Sequence, residues 1–208
     1  MTMLAPTLLK GDLDSDFFLA ARKAGSVAMD LETTGLEWGH DRIGTVQFAL
    51  PSGDTALVQI EDGRVPETML TLLEVPSIQK IFHFAAFDLG FFVRAWSVRP
   101  QSIACTKVLS KILFPGAPKH SLQKLLSEQL GVEIEKTEVR RSDWTVRELT
   151  REQIEYALED VRHLHDLFDH LMARAIRAGV AGLAEASFDY LPTRVLTDLR
   201  GAGDVFDY

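Results

Sequence analysis

Positive charge is in short supply in this chain. Lysine and arginine number 22 against 30 aspartates and glutamates, so 208 residues carry a formal net charge of −8. Surfaces that coat nucleic-acid backbones are basic, and this balance argues against a protein that packages or tracks long duplexes. Cysteine is almost absent. The single Cys105 excludes an intramolecular disulfide and any cysteine-built zinc site. Apolar runs such as Ile103–Cys105 and Val108–Leu109 are too short to span a bilayer, and Met1–Lys10 lacks the charged-then-apolar order of an export signal. The expectation is a cytoplasmic, reduced protein with no membrane partner and no obligate protein partner evident. What is present is ordinary for a globular domain: 46% hydrophobic and 25% charged residues, at a length that supports a buried core.

Strand signals come first. Val27–Leu31 is a short apolar run between Gly25 and Thr33-Thr34-Gly35. Ile43–Leu50 stops at Pro51-Ser52-Gly53, and Thr55–Ile60 follows. Three close strands with Gly/Pro turns predict an antiparallel meander. The pattern then alternates. Pro66–Leu73 reads as a helix, Ile78–His83 as a strand, Phe84–Trp96 as a helix, Ile103-Ala104 as a last short strand, and Thr106–Leu113 as a helix. Ser121–Leu130 places Leu122, Leu125, Leu126 and Leu130 on one helical face, closed by Gly131. Thr150 with Gln153 forms a capping-box pattern. Behind it Ile154, Ala157, Leu158, Val161, Leu164, Phe168 and Leu171 recur at helical spacing, predicting one helix up to Gly179. Residues 181–208 read as a short tail with a loose end at Gly201-Ala202-Gly203, its apolar residues Phe188, Tyr190, Leu191, Val195 and Leu196 covering either a sheet edge or a partner. The fold class is α/β, a mixed sheet flanked by helices.

Four carboxylates stand out. Asp30 and Glu32, two apart at a strand end, project to the same face. Paired acids there repel one another unless a cation sits between them; otherwise they form a solvated strand end. Asp88 follows a strand in the first turns of a helix, where an aspartate also serves as a simple N-terminal charge. Tyr156 and Asp160 share a helical face one turn apart. Taken together, these hard oxygen donors favour Mg²⁺ or Mn²⁺ over zinc. Two such ions about 4 Å apart stabilise both the attacking and the leaving oxygen in phosphoryl displacement.

Asp30-Leu31-Glu32-Thr33-Thr34-Gly35-Leu36, then His83 through Asp88, then Tyr156-Ala157-Leu158-Glu159-Asp160 resemble the three motifs of the DEDD exonuclease superfamily. The third motif has the Tyr-x-x-x-Asp form of the tyrosine branch; Glu155 occupies the position that carries histidine in the other branch. Phe87–Phe91, Cys105-Thr106-Lys107, Ser121-Leu122, Leu130-Gly131-Val132 and Ser142-Asp143-Trp144 resemble ribonuclease D in particular. One departure is Phe84, which stands where the family often has asparagine after the second-motif histidine, so a polar contact is expected to be missing.

The resemblance implies a ribonuclease H-like sheet of five or six strands, the antiparallel meander followed by parallel strands. It implies one 3′–5′ exonuclease domain over 1–208, with a motif-bearing core at about 25–179 and an extension at 180–208. The 29 or so residues after Gly179 are too few for the helical RNA-binding domain that usually follows in ribonuclease D. The implied activity is stepwise hydrolysis of single-stranded RNA 3′ ends, tRNA precursors among the candidates, to nucleoside 5′-monophosphates. Asp30, Glu32, Asp88 and Asp160 would hold two Mg²⁺ or Mn²⁺ ions, with Tyr156 orienting the attacking water. Thr33 and Leu36 would contact the terminal nucleotide. The other reading is turn chemistry for Thr33 and core packing for Leu36. His83 either approaches the substrate or is a buried structural histidine. Trp144 either stacks on a base or packs beside the long helix. Phosphates have two basic clusters to meet: Lys107, Lys111, Lys119, His120 and Lys124, and Lys136, Arg140, Arg141, Arg147 and Arg151. Lys107, Arg140 and Arg141 are the named candidates. Rival functions are a proofreading-type 3′–5′ DNA exonuclease, a non-catalytic RNA-binding module and a metal-binding acidic surface.

Overall fold

The computed structural model describes residues 5–135 and 138–207; Lys136 of the second basic cluster lies outside the described residues. Six strands form one mixed sheet: β1 (Thr7–Lys10), β2 (Ser26–Thr33), β3 (Ile43–Ala49), β4 (Thr55–Gln59), β5 (Gln79–Phe82) and β6 (Ile103–Cys105). Their order across the sheet is β1-β4-β3-β2-β5-β6. β2, β3 and β4 are the expected antiparallel meander, and β5 and β6 continue in parallel beside β2. β1 adds to the far edge, parallel to β4. No sequence signal announced it, because an exposed edge strand needs no apolar face.

Among the described residues eight α-helices flank the sheet: α1 (Ser15–Ala24), α2 (Glu67–Glu74), α3 (Ala85–Trp96), α4 (Thr106–Leu113), α5 (Leu122–Leu130), α6 (Arg151–Arg162), α7 (Leu164–Arg177) and α8 (Ala181–Leu199). α1 starts on the Asp14 carboxylate, which accepts from the Phe17 N–H, and ends at Gly25 in the left-handed region with φ 76°. α6 carries the full Thr150–Gln153 capping box. No helix of the described residues is long and apolar enough to cross a membrane.

Two helical expectations need correction. The single helix predicted from Thr150 to Gly179 is two, broken at His163. Before the break, α6 packs on β2, β3 and β4; after it, α7 packs on α4, α5 and β5. The apolar spacing runs on through the bend without Gly or Pro, so periodicity alone cannot reveal it. The tail is also more ordered than expected. α8 buries Ala184, Phe188, Leu191 and Val195, a helical stripe, against α3, α4 and the edge strand β6. Of the expected apolar residues, Phe188, Leu191 and Val195 thus cover the chain's own sheet edge, which blunts an exposed strand, while Leu196 stays exposed.

Packing is tight beside two glycines. A Cβ on Gly44 in β3 would lie 2.5 Å from the Trp144 carbonyl oxygen, and one on Gly90 in α3 would collide with the Trp38 indole. Backbone cannot swing aside as a side chain can. Gly44→Ala is therefore expected to shift the segment carrying Trp144 and to destabilise by about 1–3 kcal/mol, read as a lower urea midpoint with altered tryptophan fluorescence.

Lys80, in β5, is fully buried, and its Nζ donates to the Val75 carbonyl at 2.8 Å. Burial lowers its pKa from 10.5 to about 7. Between those values the unfolded chain holds a proton that the folded chain has released, so this group makes stability rise with pH across that window. Lys80→Met should gain about 1–3 kcal/mol over wild type near pH 7. The gain should shrink towards pH 10, measured as the difference between urea melts at the two values.

Candidate active site

β2 delivers Asp30 and Glu32 to one face. In the ladder they stand opposite Gln47 and Thr45 of β3, which hydrogen-bond each other, Gln47 Nε2 to Thr45 Oγ1, at 2.5 Å. The register shifts between Glu32 and Thr33, an irregularity directly after the second acid, and Thr33 then pairs with Ile43. Asp41 then secures the following loop, its carboxylate accepting from Thr34 Oγ1 at 3.0 Å and from the Glu37 N–H at 2.9 Å.

α6 brings Asp160 to the same point. Single carboxylate oxygens of Asp30, Glu32 and Asp160 all lie within 4.8 Å of one another. Asp88 arrives from the first turn of α3 and is buried. Burial drives its pKa well above the ordinary carboxylate value. The N–H groups of Asp88 itself and of Leu31 oppose this, while the nearby Asp160 charge reinforces it. One oxygen, Asp88 Oδ1, is buried with no hydrogen-bond partner. A buried acceptor near Asp160, with Asp30 and Glu32 converging on that same residue, is a donor set that a hard divalent cation satisfies, and the residues present fit such a group.

Tyr156 sits one turn before Asp160, its ring 6.0 Å from that of Trp144. Trp144 is buried, so of its two readings the structure takes packing beside the helix. Gln153 holds this arrangement together. While its Oε1 completes the capping box, its Nε2 donates to Ser142 Oγ at 3.0 Å and to the Asp143 carbonyl at 2.9 Å. The capping signal was visible in the sequence; this second use of the same side chain was not.

A depression of about 520 Å³ adjoins the acids, lined by Leu31–Leu36, Phe87 and Arg140–Ser142. Thr33, Leu36, Arg140 and Arg141 are thus brought together. Leu36 is 80% exposed, which removes core packing as its explanation. The Thr33 hydroxyl donates to the Gly35 carbonyl at 2.5 Å, shaping the turn. Phe87 was not among the expected residues; the Trp38 indole N–H holds its carbonyl at 3.0 Å. A larger groove of about 790 Å³ between Lys10, Arg42, Gln59 and Arg147 has its acids engaged, Asp62 with Arg42 and Glu61 with Arg64.

His83 and Lys107 lie apart from the depression's lining. His83 Nδ1 meets Thr106 Oγ1 at 2.9 Å and its Nε2 donates to the His120 carbonyl at 3.0 Å. Both ring nitrogens serve the protein, which ties β5 to α4 and to the segment before α5. Lys107 lies with its ammonium over the Phe84 ring.

Residues 9–175 match the family model described as 3′-5′ exonuclease. The chain is 32% identical to ribonuclease D of Desulfotalea psychrophila over 145 residues, 69% of this chain and 38% of that protein. It thus spans about two fifths of that relative's length. Among solved structures, Brucella melitensis NrnC with bound Mg²⁺ superposes with a TM-score of 0.90 at 37% identity, covering 99% of this chain and 100% of the other. NrnC bound to pGG gives a TM-score of 0.91 at 38% identity, with 99% of each chain covered. The motifs, the sheet order and these likenesses agree: the chain belongs to the 3′–5′ exonuclease family, with a catalytic domain of the ribonuclease D type.

Proposed function

We propose that this protein is a metal-dependent 3′–5′ exoribonuclease that releases nucleoside 5′-monophosphates one at a time from single-stranded RNA. The observation that carries the reading is the meeting of Asp30, Glu32 and Asp160 within 4.8 Å, with Asp88 buried beside Asp160. These four residues would hold two divalent ions, which would acidify the attacking water and neutralise charge on the phosphate. All-oxygen ligation suits Mg²⁺ or Mn²⁺, and the Mg²⁺-bound NrnC relative supports magnesium.

The remaining steps belong to the chain's own side chains. Tyr156 orients the water through its hydroxyl while Trp144 holds its ring; a phenol hydroxyl is a weak base, and its part is to position the water rather than to deprotonate it. Thr33 and Leu36 meet the terminal nucleotide. Arg140 and Arg141 reach phosphates from the rim, and Lys107 reaches another from α4. The ribonuclease D relatives support RNA over DNA. The pGG-bound NrnC, similar along its whole length, favours short RNA over structured tRNA precursors as the substrate. We assign all these parts to one domain, with its motif-bearing core at 25–179.

A timed digest of 5′-labelled RNA should give a one-nucleotide ladder with Mg²⁺ or Mn²⁺ and none with chelator. Asp160→Asn should reduce turnover by about 10³-fold. An undiminished ladder in either case would sink the reading, and a matched DNA strand degraded faster than RNA would favour the proofreading type. Tyr156→Phe should lose about 10²-fold in kcat while titration calorimetry shows Mn²⁺ binding unchanged. Wild-type turnover in that variant would remove Tyr156 from the chemistry.

A further inference from the structure

Phe84 breaks two local rules at once. It holds the N-cap position of α3, with φ −130°, ψ 56° and no side-chain hydrogen bond, where Ser, Thr, Asp or Asn would satisfy the free N–H groups. Its large apolar side chain is also 49% exposed, one helical turn before Asp88. A residue that contradicts both its backbone position and its solvent exposure marks a functional surface. The sequence resemblance made the same position conspicuous, since it lacks the polar residue expected there.

The surroundings say what that surface fits. The Phe84 ring lies nearly parallel to that of Phe87, with 12° between planes and 6.2 Å between centroids. Phe87 lines the active-site depression together with Leu36 and Thr33. Phe84 therefore extends the apolar floor of that depression outwards along α3. The Lys107 ammonium rests 3.8 Å from the centre of the Phe84 ring. A flat apolar surface with a cation above it presents the two complements of a nucleotide, a π-face for the base and a positive charge for the phosphate. An ammonium resting on an exposed ring is weakly held, and a phosphate is its stronger partner.

We propose that Phe84 is a stacking platform for one nucleobase of the bound strand, and that Lys107 leaves the ring for that nucleotide's phosphate as the base arrives. The proposal rests on the exonuclease reading above and deepens it. Every base has a π-face, so the platform grips without selecting sequence. Stacking also releases no counterions. An acidic protein thereby gains a hold on RNA that does not weaken with salt, while the Lys107 contact does weaken.

The test uses the full chain and short RNAs in which one abasic nucleotide is stepped through the three 3′-terminal positions. Phe84→Leu is expected to raise KM about tenfold on intact RNA with kcat little changed, and to show no further loss when the abasic site occupies the stacked position. Phe84→Trp should keep KM within about twofold of wild type, which separates loss of the platform from loss of folding. Lys107→Gln should lower the slope of log KM against log salt by about one, whereas Phe84→Leu should leave that slope alone. Anisotropy of labelled RNA in chelator gives the same comparison without chemistry. If wild type binds but never shortens RNA, the exonuclease reading fails, and the platform stands or falls on whether Phe84→Leu weakens that binding. An unchanged KM and unchanged binding in Phe84→Leu, or an equal loss at every abasic position, overturns the proposal.

Discussion

Mutual repulsion among four carboxylates is the constraint around which this structure is arranged. Asp30, Glu32 and Asp160 converge, and Asp88 lies buried against Asp160 with one oxygen lacking a hydrogen-bond partner. Such a group is unstable by itself: burial and like charge both oppose ionisation, which is why Asp88 is held well above its ordinary pKa. The fold offsets this only in part. The positive end of α3 and the Leu31 N–H favour the charged form of Asp88, yet its burial still outweighs them. A scaffold that keeps acids so close must be stiff. Stiffness comes from the β2–β3 ladder beneath Asp30 and Glu32, from the Gln47–Thr45 pair alongside, and from Gln153 tying α6 to Ser142 and Asp143.

The acids were legible in the sequence because each sits at a fixed offset inside a regular element. The i, i+2 rule for Asp30 and Glu32 and the i, i+4 rule for Tyr156 and Asp160 are local geometry, and the structure keeps both. The meander, the parallel strands and the capping box are equally local. Features set by tertiary partners were not legible. The break at His163 follows from α6 and α7 resting on different neighbours, while the apolar period runs on unbroken. β1 is an exposed edge, and its sequence has no reason to alternate. α8 carried a readable stripe at Ala184, Phe188, Leu191 and Val195, but Pro192 inside the helix and the glycines after it weigh towards an irregular tail. His83 shows a further limit. A histidine beside an acidic motif suggests chemistry, and only the positions of Thr106 and His120 reveal that both ring nitrogens are already used.

The net charge of −8 sets the terms on which such a protein would handle the proposed RNA. Long-range attraction to a polyanion is weak, so affinity has to be local and short in reach. Around the acids the available contacts suit that. Arg140 and Arg141 stand on one rim, Lys107 lies beyond Phe84, and between them are the exposed Leu36 and the Phe84–Phe87 rings. Apolar and aromatic surface replaces much of the cationic surface that a processive, backbone-tracking nuclease needs. A site of this composition gains most from the last few nucleotides of a strand and little from the rest. The same charge balance supports the short RNA proposed above as substrate: a strand of a few nucleotides loses nothing by lacking distant phosphates, while a long structured RNA would bring negative charge towards a negative protein without compensation.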